Sequence, residues 1–239
     1  MQINRQRMSI IVVSRVVDAA DRILNCGCMK NYLTEFIGTF ILMFCGTGAC
    51  VVNEITGGTI THVGIATTWG LVVMSIIYAL GEKSGAHINP AVTIAFAVNK
   101  NFPVKQVAPY IISQVAGALV ASVTLKLLFP ASKFLGATLP AGSELQSFVL
   151  EFILTFILML VVIQVAKGSK EQGLFAGIAI GSVVLFEAMF AGPISGASMN
   201  PARSLAPAIV SGNLQHIWIY LTAPVLGAVT AIFIHKIIK

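Results

Sequence analysis

The residues whose chemistry stands out in this 239-residue chain come in pairs. Asn89-Pro90-Ala91 and Asn200-Pro201-Ala202 are two copies of one tripeptide, the second followed directly by Arg203. Asparagine ahead of proline is a favoured helix cap, and proline at the first helical position gives up an N–H that would be unpaired there anyway. Capping uses the side-chain oxygen, so the amide NH2 remains a donor at the positive end of a helix dipole. Glu35 and Glu151 form a second pair, each inside an apolar run, where a carboxylate is costly unless it is paired or hydrogen-bonded. This is chemistry for selecting and repelling, not for reaction. His87 has no carboxylate or cysteine at ligand spacing, so a hydrogen-bonded packing role is expected in place of a metal site, and no cofactor is implied. Cys26, Cys28, Cys45 and Cys50 make neither a disulfide ladder nor a paired zinc motif. Free thiols are expected, with acylation of Cys26 or Cys28 the weaker alternative.

The elements that must position these groups are membrane spans. The chain is 56% hydrophobic and only 10% charged, about half the charge of an ordinary soluble domain. Its net charge of +6 is scattered between apolar runs and lies beside no nucleic-acid-reading motif, so no nucleic-acid partner is expected. A helix needs about 20 apolar residues to cross about 30 Å of hydrocarbon. Tyr32–Val52, Val63–Gly81, Val107–Phe129, Phe148–Ala166, Leu174–Ala191 and Ile217–Ile238 qualify. Asn89–Val98 and Asn200–Val210 reach only half-way and read as re-entrant half-helices, a form tolerated at membrane depth where it lines a wet cavity or packs in protein. Lys83, Lys100, Lys105, Lys167, Lys170, Lys236 and Lys239 fall on one side, against Lys126, Lys133 and Arg203 on the other. This bias places both termini in the cytoplasm. Residues 1–29, with Arg5, Arg7, Arg15 and Arg22 around the short stretch Met8 to Val13, read as a cytoplasmic tail with amphipathic character open to it. A transit peptide fits less well, because Asp18 and Asp21 interrupt the basic pattern. Ser9, Ser14 and Ser169 share that side as weak candidates for phosphorylation.

The two halves repeat. The run from Leu33 to Phe40 matches that from Val149 to Phe156, and Ser84 to Ala91 matches Ser195 to Ala202. The stretch 30–239 therefore divides into repeats of about 30–130 and 146–239. Three crossings per half make the repeats inverted, so the two tripeptides meet head to head near the midplane. Backbone carbonyls of Gly85, Ala86 and His87, and of Ser195, Gly196 and Ala197, are expected to face the cavity as acceptors, because residues before a re-entrant helix are unwound.

With doubled Asn-Pro-Ala motifs, Arg203 after the second and a glutamate in the first helix of each half, the chain resembles the aquaporin (major intrinsic protein) family from about Tyr32 onward. It looks most similar to plant nodulin-like intrinsic proteins and their bacterial relatives. The resemblance implies an all-α membrane protein with six transmembrane helices and two half-helices, a homotetramer with one pore per subunit, and passage of water and small neutral solutes across the lipid bilayer, with the plasma membrane as the expected location. It implies a central constriction at the two motifs, loop bracing by Glu35 and Glu151, and a selectivity filter of Trp69, Ala188, Ala197 and Arg203. Water-selective members usually carry Phe and His at the first two filter positions, so Ala188 implies a wider ring suited to glycerol, with its carbons on the indole opposite Arg203 and its hydroxyls on Arg203 and carbonyls. Metalloid hydroxides such as arsenous or boric acid come with the nodulin-like likeness. Two departures stand out. Ser204 occupies a place where dedicated glycerol facilitators carry Asp, and Glu187 precedes Ala188 where many relatives are neutral. Glu187 could tune the filter or respond to pH, or point away about 100° round the helix in a structural role. A water-selective pore, an ion-coupled transporter, which also uses broken helices in inverted repeats, and an adhesive membrane protein are the competing classes.

Overall fold

The computed structural model describes residues 27–167 and 173–239. The tail arginines, Asp18, Asp21, Ser9, Ser14, Cys26, Ser169 and Lys170 lie outside the described residues. Among those described, eight helices carry the architecture: α1 (Gly27–Ile55), α2 (Thr61–Ser84), α3 (Pro90–Val98), α4 (Val104–Leu128), α5 (Glu144–Lys167), α6 (Ala176–Ser195), α7 (Pro201–Ser211) and α8 (Ile217–Ile238). Six of them are long and apolar enough to cross a membrane; α3 and α7 are the half-helices. The protein is an all-helical integral membrane protein. Exposed Leu, Ile, Val and Phe side chains run along the outside of the spans, as a hydrocarbon solvent permits.

Each half packs alike. α1 lies against α2 and α4, α5 against α6 and α8, and the halves join where α2 crosses α6. Each half-helix also packs on a long helix of the other half, α3 on α8 and α7 on α4. Glycines set the closest approaches. A Cβ built on Gly117 would stand 2.2 Å from the Phe36 carbonyl oxygen, and one on Gly227 would stand 2.2 Å from that of Phe152, the matching residue. Only a hydrogen atom fits at either contact, so helix axes in both halves are fixed by the same device.

The fifth span runs further than expected, to Ser195 and not Ala191. Gly192-Pro193 reads as a break, because proline lacks the N–H that would bond the carbonyl four residues back. That carbonyl belongs to Met189, and His62 Nε2 meets it at 2.5 Å. Since a carbonyl only accepts, Nε2 carries the proton. A side chain from α2 therefore supplies the missing donor and the helix continues through its proline.

Candidate functional site: a pore between two re-entrant loops

Both long helices that precede the half-helices end in a left-handed glycine, Gly85 (φ 86°) and Gly196 (φ 87°). Beyond each, alternate residues also take positive φ: Ala86 (43°) and Ile88 (42°) in the first loop, Ala197 (42°) and Met199 (53°) in the second. Positive φ costs a side-chain-bearing residue about 1–2 kcal/mol, and β-branched Ile88 suffers most. Such strain persists only where surrounding contacts over-determine it. Here a buried carboxylate does so in each half. Glu35 Oε1 accepts from Ser84 Oγ (2.7 Å) and His87 N (2.9 Å), and its Oε2 accepts from Ile88 N (2.7 Å) and Gln114 Nε2 (2.8 Å). Glu151 Oε1 accepts from Ser195 Oγ (2.7 Å) and Ser198 N (2.8 Å), and its Oε2 accepts from Met199 N (2.8 Å). With the N–H groups drawn back onto the carboxylates, the loops turn their other side to an internal cavity of about 160 Å³.

The two caps meet across the repeats. Asn89 Oδ1 accepts from Ala91 N at 2.9 Å, and Asn200 Oδ1 accepts from Ala202 N at 3.0 Å. Asn89 Nδ2 donates to Met199 O at 2.8 Å, while Asn200 Nδ2 donates to Ile88 O at 2.9 Å. Each amide has two N–H groups, so one is spent on the opposite loop and the other is left for the cavity that both asparagines line. Prolines 90 and 201 open the half-helices, with buried Ala91 and Ala202 behind them.

Trp69, Ala188, Ala197 and Arg203 all face this cavity. Arg203 Cζ lies over the Trp69 ring, 4.7 Å from its centroid. Arg203 Nη1 donates to Gly136 O at 2.6 Å, which holds the charge at the wall. The rest of the lining is mainly apolar, including Leu42, Val73, Ile77, Val92, Phe96 and Val184.

The acceptor track needs one correction. Gly85, Ala86, His87 and Ile88 line the cavity in the first half, but in the second the lining begins at Ala197 and continues through Ser198 and Met199. Ser195 is still the last residue of α6, and its carbonyl is taken by Tyr220 Oη at 2.7 Å, as that of Ser84 is taken by Tyr110 Oη at 2.9 Å. Gly196 serves as the cap of α6, its N–H returned to Gly192 O. The His87 ring meets Thr93 Oγ1 through Nδ1 at 3.2 Å and stacks on Phe96. Glu187 is 0% exposed and is not among the residues lining the cavity, and among the described residues neither of its carboxyl oxygens has a hydrogen-bond partner.

Several members of the site carry no signal in the sequence. Gly136 lies in the connection between the halves and offers only a carbonyl. Cys50 places its thiol against both Trp69 and Arg203. Gly46 makes room for the indole, since a Cβ there would fall 2.4 Å from the Trp69 ring. Tyr110 and Tyr220 do carry a signal, because aligning the third spans of the two halves pairs them, whereas Gln114 falls opposite Pro224 and carries none.

Comparison with known proteins agrees with this geometry. The family model described as major intrinsic protein matches residues 23–235. Nodulin-26 of Glycine max is 46% identical over 228 residues, covering 95% of this chain and 84% of that protein. Aquaporin NIP1-3 of Oryza sativa subsp. japonica is 50% identical over 211 residues, covering 88% and 74%. Among solved structures, the aquaglyceroporin from Plasmodium falciparum superposes with a TM-score of 0.79 at 28% identity, covering 87% of this chain and 96% of that one.

Proposed function

Because the chain belongs to the major intrinsic protein family, we propose that it is a passive, bidirectional channel that admits glycerol-sized neutral solutes as well as water, and excludes protons and ions. It is a channel and not an enzyme. The observation that carries the solute reading is the filter: an indole face with a guanidinium laid on it, bordered by two alanines. A polyol can set its carbon edge on the apolar wall formed by Val73, Ile77 and Val92 while its hydroxyls exchange bonds along the loop carbonyls opposite. Arsenous and boric acid, small neutral hydroxides, present the same polar rim.

Exclusion of charge follows from fixed groups. A cation at the centre meets the positive ends of α3 and α7 and then Arg203. Water there gives its oxygen to the free N–H groups of Asn89 and Asn200, so it cannot accept a proton from a neighbouring water at the same time. In the membrane we place both termini on the cytoplasmic side, from the lysine bias, with the channel beginning at α1 and not at residue 30. Four copies, each with its own pore, and a plasma-membrane location complete the reading.

Stopped-flow light scattering on proteoliposomes tests it, with water and glycerol permeability compared in wild type and Ala188→His. Passage of both by wild type, with selective loss of glycerol in the variant, is the expected result. A wild type that passes water alone overturns the solute assignment and leaves a water-selective channel.

A further inference from the structure

The two bracing sites are unequal. Glu35 receives four donors, whereas Glu151 receives three, two on Oε1 and one on Oε2. The register that pairs Tyr110 with Tyr220 and Gly117 with Gly227 puts Pro224 where the first half has Gln114, and proline brings no side-chain donor. Glu151 is nevertheless wholly buried.

Glu187 is the second irregularity. It too is 0% exposed, and both its oxygens are without a partner among the described residues. The register that pairs Gly70 with Gly181 and Ser84 with Ser195 makes Ile76 its counterpart, a core residue that needs no partner. The orphaned carboxyl thus belongs to the half that lacks the glutamine. α6 packs against α2 and α5. α2 has no titratable residue between His62 and Tyr78, and α5 has none but Glu151 between Glu144 and Lys167. In the first half a Cβ on Gly38, one turn beyond Glu35, would stand 3.4 Å from Ile76; the same registers set Glu187 against Leu154, one turn beyond Glu151, which makes Glu151 the titratable neighbour these helices offer.

A carboxylate ion buried without donors is among the costliest arrangements a protein can hold, and such a group neutralises instead. The neutral acid has an O–H to donate. We propose that Glu187 carries its proton and donates it, directly or through one buried water, to Oε2 of Glu151, supplying from α6 the fourth donor that Gln114 supplies from α4 in the first half. It is a positioning residue. Glu151 holds the N–H of Met199, whose carbonyl receives the Asn89 amide, so the proton on Glu187 helps to set the central constriction and the loop that leads to Arg203. The sign of the pH effect follows. The braced loop is present while Glu187 is protonated and is lost as pH rises through its titration, when two carboxylates face each other without a donor between them.

The flux part of the test rests on the channel reading, so a readout independent of transport accompanies it. Full-length wild type, Glu187→Gln and Glu187→Leu are purified, their infrared spectra are searched for the carbonyl stretch of a protonated carboxyl, and water and glycerol permeability are followed in liposomes from neutral to alkaline pH. The expected result is a protonated-carboxyl band in wild type that both variants lose, and a wild-type permeability that declines toward alkaline pH. Glu187→Gln, a donor that cannot titrate, should lose that decline. Glu187→Leu, with no donor, should show reduced permeability at every pH. An unchanged band in Glu187→Gln, or an unchanged pH profile, overturns the proposal, and the glutamine variant decides alone if the leucine variant fails to fold. Absence of all wild-type flux would overturn the channel reading, with the infrared band still deciding the protonation.

Discussion

Replacing Glu35 by Gln tests the link between a buried carboxylate and the strained loop above it. The carboxylate accepts four bonds, and an amide keeps an acceptor for only the two on one side; its NH2 then faces two donors. Bonds to a charged group contribute about 1.5–3 kcal/mol each, so losing two costs about 3–6 kcal/mol. Gln114 can recover one by turning its amide, since its Oε1 has no partner among the described residues. The N–H of Ile88 cannot be recovered that way, and Ile88 is the residue held at φ 42°. Once released, it relaxes toward an extended conformation and withdraws the carbonyl that receives Asn200 Nδ2. In detergent, at about 2–4 °C per kcal/mol for a chain of this size, the melting temperature should fall by roughly 10 °C. Water permeability per folded channel should fall with it, because the central donors lose their geometry. A Glu35→Gln protein that melts within about 1 °C of wild type and conducts equally would refute the view that carboxylate bonds hold the loop.

Other perturbations isolate other parts of the site. Gly46→Ala sets a methyl 2.4 Å from the Trp69 ring, so the indole must shift by on the order of 1 Å at a cost of about 1–3 kcal/mol; glycerol permeability should drop more than water permeability, read from the ratio of the two in one liposome preparation. Gly227→Ala meets backbone, with the Phe152 carbonyl oxygen 2.2 Å away, and no rotamer relieves it. It should destabilise the fold by about 3 kcal/mol or more and lower the yield of folded protein on size-exclusion chromatography. His62→Ala leaves the Met189 carbonyl, already freed by Pro193, without a donor; a loss of about 1–3 kcal/mol should appear as a lower melting temperature.

Much of the molecule is legible along the chain because a membrane leaves few options. An apolar run long enough to cross must be a helix, and a run too short to cross that opens with Asn-Pro must be a half-helix, so α3 and α7 are found to within a residue or so. Duplication does the rest, since a repeat with an odd number of crossings has to insert upside down. The misreadings share a local cause. The fifth span is expected to stop at Ala191, ahead of Pro193, yet it runs on to Ser195 with His62 against the Met189 carbonyl. Ser195 looks like a pore acceptor until its carbonyl is seen under the Tyr220 hydroxyl.

Composition, span lengths and the doubled tripeptide thus determined by themselves that this is a membrane protein of inverted halves whose asparagine caps face each other. They depend on hydropathy and on backbone rules that act within a few residues. Tertiary structure alone decided how the caps, Trp69 and Arg203 are used. The Asn89 and Asn200 amides each spend one N–H on the opposite loop, Arg203 lies on Trp69 and is tied to Gly136, and Glu151 holds the N–H groups of Ser198 and Met199. Every one of these contacts joins residues far apart in the chain, and a hydrogen bond or a ring contact is set by distances of a few ångströms, which spacing along a sequence does not encode.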